Sequence, residues 1–133
     1  MSEQLRRILC VDDDADIRML LDFSLSQVGG YEVRCCEDGL SALALALQFQ
    51  PDLVLLDVMM PGMSGPETLA ALRTLPEMQG VPVIFVTAKA MPSDLEPLLQ
   101  LGATGVIVKP FNPMSLPADI RPFWEYGRGQ QST

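Results

Sequence analysis

The sequence predicts an α/β domain: a doubly wound sheet of five parallel strands with helices on both faces. Three observations lead there. Short apolar runs alternate with longer stretches of helical spacing. Four of the five runs are apolar throughout, as strands buried on both faces require. Each of those four stops at a polar residue. A chain of 133 residues suits one domain.

The first run, Ile8-Leu9-Cys10-Val11, ends at Asp12. Ile17, Leu20, Leu21, Leu25 and Val28 then recur at helical spacing, and Gly29-Gly30 supplies the stop. Tyr31-Glu32-Val33-Arg34-Cys35 alternates polar and apolar residues, which suits an edge strand. Leu40 to Phe49 is rich in Ala and Leu and reads as a helix, with Pro51 after it. Leu53-Val54-Leu55-Leu56 ends at Asp57, and a helix over Pro66 to Leu75 is followed by Pro76. Val83-Ile84-Phe85-Val86 ends at Thr87. The fourth helix is expected over Leu95 to Leu101, starting near Glu96 with Pro97 at its first position and closing at Gly102. Val106-Ile107-Val108 ends at Lys109. Asn112-Pro113 reads as the cap and first position of a fifth helix, which Pro117 and Pro122 interrupt or delay. Gly127 to Thr133 is expected to fray. The edge pattern of the second strand favours the flavodoxin-like order 2-1-3-4-5.

Charge and composition narrow the function. Nine Lys and Arg against 17 Asp and Glu give a net charge of −8, which repels nucleic-acid phosphates. No apolar run approaches a membrane span, and Met1-Ser2-Glu3-Gln4 lacks the start of a signal peptide, so the expected location is cytoplasmic. There is no histidine, which excludes Ser-His and Cys-His nucleophile pairs and a phosphohistidine carrier. Cys10, Cys35 and Cys36 read as small packing residues, with neighbours Cys35 and Cys36 facing opposite ways along an extended segment. Phe123, Trp124 and Tyr126 read as anchors for the last helix.

The chemistry is expected where the strands end. In an open parallel sheet the carboxyl ends of the strands line the ligand crevice. Asp12, Asp13, Asp57, Thr87 and Lys109 are thereby drawn from distant parts of the chain to one place. Three carboxylates together must take a proton, a cation or a metal, and all-oxygen ligands with room for water suit Mg²⁺. With a lysine and a hydroxyl added, such a site stabilises charge on a transferring phosphoryl group, and a carboxylate can be the nucleophile. Asp57 ends the central strand of the proposed order, which favours it as that nucleophile.

These residues resemble the receiver domain of two-component response regulators, of the stand-alone CheY-like type. The likeness rests on Val11-Asp12-Asp13-Asp14, Asp57 through Gly65, Val86-Thr87-Ala88-Lys89, and Leu101-Gly102-Ala103 followed by Lys109-Pro110-Phe111. It spans residues 6–125 and implies a receiver domain at 6–126 with 127–133 as a short tail. The resemblance implies that Asp57 accepts a phosphoryl group from a histidine kinase or a histidine phosphotransfer protein. It implies Mg²⁺, with Mn²⁺ as a substitute, held directly by Asp13, Asp57 and the backbone carbonyl of Met59, and by Asp12 largely through water. Thr87 would donate to one phosphoryl oxygen and Lys109 would pair with another. Lys109-Pro110 would be a cis peptide. Such a protein is a switch or phosphorelay shuttle that catalyses its own phosphorylation and slow dephosphorylation and is not a dedicated enzyme. No output domain fits in 133 residues, so the signal is expected to pass to an effector protein.

Two departures from the family pattern stand out. Ser64 replaces a usual Asp in a loop, and Val106 stands where an aromatic usually couples Thr87 to the output surface. Other readings explain less. A haloacid dehalogenase-type phosphatase shares the D-x-D pattern of Asp12-Asp13-Asp14, but after Lys109 only Asp119 and Glu125 are acidic, both in helical sequence. A calcium loop starting at Asp12 fails at Ile17 and Phe23, and an FMN carrier would not place acids in its phosphate cradle. A phosphorylation-independent interaction module is the remaining alternative.

Overall fold

The structure, a computed structural model, describes residues 4–131, with side chains described as far as residue 128. Its strands are β1 (Arg7–Val11), β2 (Glu32–Cys36), β3 (Leu53–Asp57), β4 (Val83–Thr87) and β5 (Gly105–Val108). They form one all-parallel sheet in the order β2-β1-β3-β4-β5, as the sequence predicts. The helices are α1 (Ala15–Asp22), α2 (Gly39–Phe49), α3 (Gly65–Leu72), α4 (Pro92–Gln100) and α5 (Leu116–Gln131).

Strand alternation splits the core into two layers. Leu9, Val54, Leu56, Val83 and Phe85 face α2, α3 and α4, meeting Ala42, Ala46, Leu69, Leu72 and Leu98. Ile8, Cys10, Leu55, Ile84, Val86 and Ile107 face α1 and α5, meeting Leu21, Leu25, Leu116, Ile120 and Trp124. Every residue of β3 and β4 is buried, which is why those runs are apolar throughout. Cys35 and Cys36 pack on opposite layers, and burial pushes the Cys36 thiol up to about 11. Trp124 is buried and donates from Nε1 to the Asp52 carbonyl at 3.1 Å, which pins α5 to the start of β3. Phe123 is half-buried beside it, whereas Tyr126 is exposed and is not one of the buried anchors the sequence suggests.

Several element boundaries differ from expectation. Helix α1 gives way at Phe23 to a π-helical segment, Phe23–Val28, before the stop at Gly29-Gly30. Helix α3 ends at Leu72, and a 3₁₀ turn at Pro76–Met78 completes the connection. Helix α4 starts at Pro92, not near Glu96: proline takes the first position there, and Pro97 lies inside the helix. Helix α5 starts at Leu116, because Asn112 instead caps a turn, accepting from Met114 N at 2.9 Å, and Pro117 falls in the first turn. Pro122 is inside α5 and does not interrupt it. The stretch from Gly127, expected to fray, continues α5 through Gln131, and residues 132–133 lie outside the described residues. Strand β5 is the other edge, so Val106 and Val108 are only half-buried.

Candidate functional site

Because the sheet is all-parallel, its carboxyl ends share one edge. Asp12 follows β1, Asp57 closes β3, Thr87 closes β4 and Lys109 follows β5. The registers Val11↔Leu56, Asp57↔Val86 and Thr87↔Val108 bring them to one level.

Asp12 is fully buried and held from three sides. Its N–H donates to the Cys36 carbonyl at 3.1 Å, its Oδ1 accepts from Asp14 N at 2.9 Å, and its carbonyl accepts from Arg18 Nη1 at 2.8 Å. Asp13, next to it, is exposed. Asp14 is not part of the cluster: its carboxylate caps α1, accepting from Asp16 N at 2.8 Å. One carboxylate oxygen from each of Asp12, Asp13 and Asp57 lies within 4.8 Å of the others.

Lys109 Nζ lies 2.9 Å from Asp12 Oδ2 and 3.2 Å from Asp57 Oδ1, where it also donates a hydrogen bond. The Lys109 ammonium at 2.9 Å is the partner of the buried Asp12 Oδ2. Burial, and then the Asp12 charge, push the Asp57 carboxyl up to about 6, with Lys109 pulling the other way. Burial works against the Lys109 ammonium, but Asp12 and Asp57 outweigh it and hold its pKa above the ordinary lysine value. One cation is thus shared by two acids, with the Asp13 carboxylate close by as a third. An oxygen-only donor set with that charge deficit fits a hard divalent ion such as Mg²⁺.

Thr87 is buried at the end of β4; its carbonyl accepts from Lys109 N at 2.7 Å and its hydroxyl from Lys89 N at 3.1 Å. The peptide between Lys109 and Pro110 is cis, as expected. The loop after Asp57 is clamped where Gly65 N donates to the Val58 carbonyl at 2.8 Å. A Cβ on Gly65 would collide with the Asp57 carbonyl oxygen, so only glycine allows that approach. Ser64 caps α3, accepting from Glu67 N while Glu67 accepts from Ser64 N, so the hydroxyl meets the loop's need in place of Asp. The Met59 side chain is exposed, and with Pro61, Thr87 and Lys89 it lines a groove of about 620 Å³ beside the acids.

The structure thus brings Asp12, Asp13, Asp57 and Lys109 together, with Thr87 on the adjoining strand end. Sequence reasoning missed Arg18, which holds the Asp12 backbone from α1 and lies 4.0 Å from Glu37. Its place one turn after the acidic run was the available signal.

The model of the response regulator receiver domain family matches residues 8–121. The DNA-binding response regulator MtrA of Mycobacterium tuberculosis is 40% identical over 121 residues, covering 91% of this chain and 51% of that protein. A probable transcriptional regulator, ycf27, of Porphyridium aerugineum is 42% identical over 118 residues, 89% of this chain and 48% of that protein. The chain therefore spans about half the length of the curated relatives it matches. The chemotaxis response regulator CheY4 of Vibrio cholerae superposes with a TM-score of 0.82 at 35% identity, covering 90% of this chain and 99% of that one. NtrX of Brucella abortus, in complex with ADP, gives 0.85 at 28% identity over 97% of this chain and 29% of that one.

Proposed function

Since this chain belongs to the receiver-domain family of two-component response regulators, we propose that it takes a phosphoryl group on Asp57 from the phosphohistidine of a histidine kinase or histidine phosphotransfer protein. The observation that carries this reading is the sharing of Lys109 by two buried carboxylates, 2.9 Å from Asp12 and 3.2 Å from Asp57, at the mouth of the sheet.

A carboxylate oxygen of Asp57 attacks phosphorus, the P–N bond to the imidazole breaks, and the leaving histidine nitrogen takes up a proton. Lys109 transfers its ion pair from Asp57 to a phosphoryl oxygen while keeping Asp12. The Thr87 hydroxyl accepts from Lys89 N at 3.1 Å, which leaves its own O–H to donate to a second phosphoryl oxygen. Asp13, Asp57 and the Met59 carbonyl would hold Mg²⁺, with Asp12 acting largely through water. When bound, the ion supplies neutralisation of charge on the transferring group. Water later attacks the phosphoryl group and Asp57 leaves as carboxylate, so the protein sheds its own signal without being a dedicated enzyme. A downstream effector protein reads the phosphorylated form in the cytoplasm, as a switch or as a step in a relay. Among the described residues no helix is long and apolar enough to cross a membrane.

The test is phosphorylation by a phosphorylated histidine kinase, or by phosphoramidate, with and without EDTA. Labelling in Mg²⁺ that disappears on chelation supports the reading; metal-independent labelling contradicts the role given to the acidic cluster.

A further inference from the structure

The π-helical segment Phe23–Val28 contains two serines with different partners. Ser26 Oγ donates to the Asp22 carbonyl one turn back at 2.6 Å, the usual outlet for a serine inside a helix. Ser24 is fully buried, and its hydroxyl donates to the Pro113 carbonyl, 2.5 Å away and 89 residues along the chain. The wide turn is closed by Gly29 N donating to the Ser24 carbonyl at 3.0 Å, a bond spanning five residues. The segment meets the same region again at its end, where a Cβ on Gly29 would lie 3.1 Å from Pro117 Cβ.

Pro113 lies in the turn that joins Lys109 to α5. That turn is held at its start by Lys109 N donating to the Thr87 carbonyl at 2.7 Å. Its middle is folded by Met114 N donating to Asn112 Oδ1 at 2.9 Å. Ser115 N and Leu116 N also donate to the Asn112 carbonyl, at 3.1 and 2.9 Å, so these bonds tie the turn to β4 and to itself. Ser24 supplies a side-chain bond to it from the layer that carries α1, and does so from a site with no access to water.

We infer that Ser24 is a positioning residue for Lys109, bracing the turn from which the lysine must deliver its ammonium to an incoming phosphoryl oxygen. The inference rests on the phosphoacceptor reading above and adds a residue to it. It has a signature that simple loss of stability lacks. Lys109 would meet the phosphoryl group directly, whereas it would meet the metal only through Asp12 and Asp57, the carboxylates the two share. Removing the brace therefore weakens phosphoryl binding selectively.

The experiment titrates the full chain, wild type and Ser24→Ala, first with Mg²⁺ alone and then with beryllofluoride at saturating Mg²⁺, by calorimetry. Ser24→Ala is expected to keep Mg²⁺ affinity within about twofold and to lose beryllofluoride affinity on the order of tenfold, because small displacements of a positioned charge weigh on the bound phosphoryl-like geometry. Unchanged beryllofluoride affinity would overturn the inference, as would equal losses for both ligands. If Ser24→Ala does not fold, Ser24→Cys, with its weaker donor, is titrated in the same way, and the same two results would overturn the inference. Wild type that binds no beryllofluoride in Mg²⁺ would overturn the phosphoacceptor reading itself, and this inference with it.

Discussion

Lys109 Nζ sits 2.9 Å from Asp12 Oδ2, a carboxylate oxygen of a side chain with no exposure to water. The same ammonium reaches Asp57 at 3.2 Å. One cation therefore compensates two acids that repel each other, and without it a metal or a proton must take its place.

Lys109→Met should expose that dependence. The methionine fills a similar volume and leaves both carboxylates unpaired, which costs on the order of 2–4 kcal/mol in metal-free protein. Mg²⁺ should restore a large part of the loss. Urea unfolding of both proteins, with Mg²⁺ and with EDTA, measures it; equal stability of the two proteins in EDTA would show that the ion pair carries no stabilisation.

The Asp57 carboxyl, at about 6 against an ordinary 3.8, sets a pH dependence. In metal-free protein the folded state holds this proton more tightly than the unfolded state does. The stabilisation it gives is fully present below about pH 4 and is lost as pH rises through about 6. Asp57→Asn should remove that slope and leave metal-free protein about 1–2 kcal/mol more stable than wild type at pH 7.5. Thermal melts across pH 4.5 to 8 in EDTA check this, and parallel curves for the two proteins would contradict it.

Much of this was legible in the residues, and for physical reasons. A strand buried on both faces must be apolar throughout, so Leu53 to Leu56 and Val83 to Val86 announce themselves, and the polar residue ending each run marks the mouth of the sheet. Strand β5 shows the limit: the predicted order puts it at an edge, yet Val106-Ile107-Val108 is as apolar as a central strand, and two of its residues are only half-buried. A short apolar run carries no record of what lies beside it. The π-helical turn was not legible either, because Ile17, Leu20, Leu21, Leu25 and Val28 fit an ordinary helix, and the Ser24–Pro113 bond joins it to a turn 89 residues away. Pro97 and Pro122 misled in the opposite sense, since buried Leu98 and Trp124 follow closely in helices that tertiary packing retains. At the site, Asp12, Asp13, Asp57 and Lys109 could be named because each lies next to a strand end. Arg18 has only its place one turn after the acidic run to mark it, because it acts through the Asp12 backbone.

The lifetime of the phosphoryl group should depend on Met59. This residue stands two after Asp57, is exposed, and lines the groove beside the acids together with Lys89. A thioether cannot orient an attacking water as a carboxamide can. Met59→Asn should therefore speed loss of the phosphoryl group by about three- to tenfold, a small general-base-type gain. Decay of isolated, labelled protein in Mg²⁺ measures the rate, and equal half-lives would reject the mechanism.

Asp57 alone should carry the phosphoryl group. The most direct measurement is the site of labelling: wild type and Asp57→Asn are incubated with a phosphorylated histidine kinase in Mg²⁺, and intact mass and peptide mapping follow. Wild type should gain one hydroxylamine-labile phosphoryl group on the peptide containing Asp57, and Asp57→Asn should gain none. Labelling of Asp57→Asn to the wild-type extent, or a wild-type label on any other peptide, would place the phosphoryl group elsewhere.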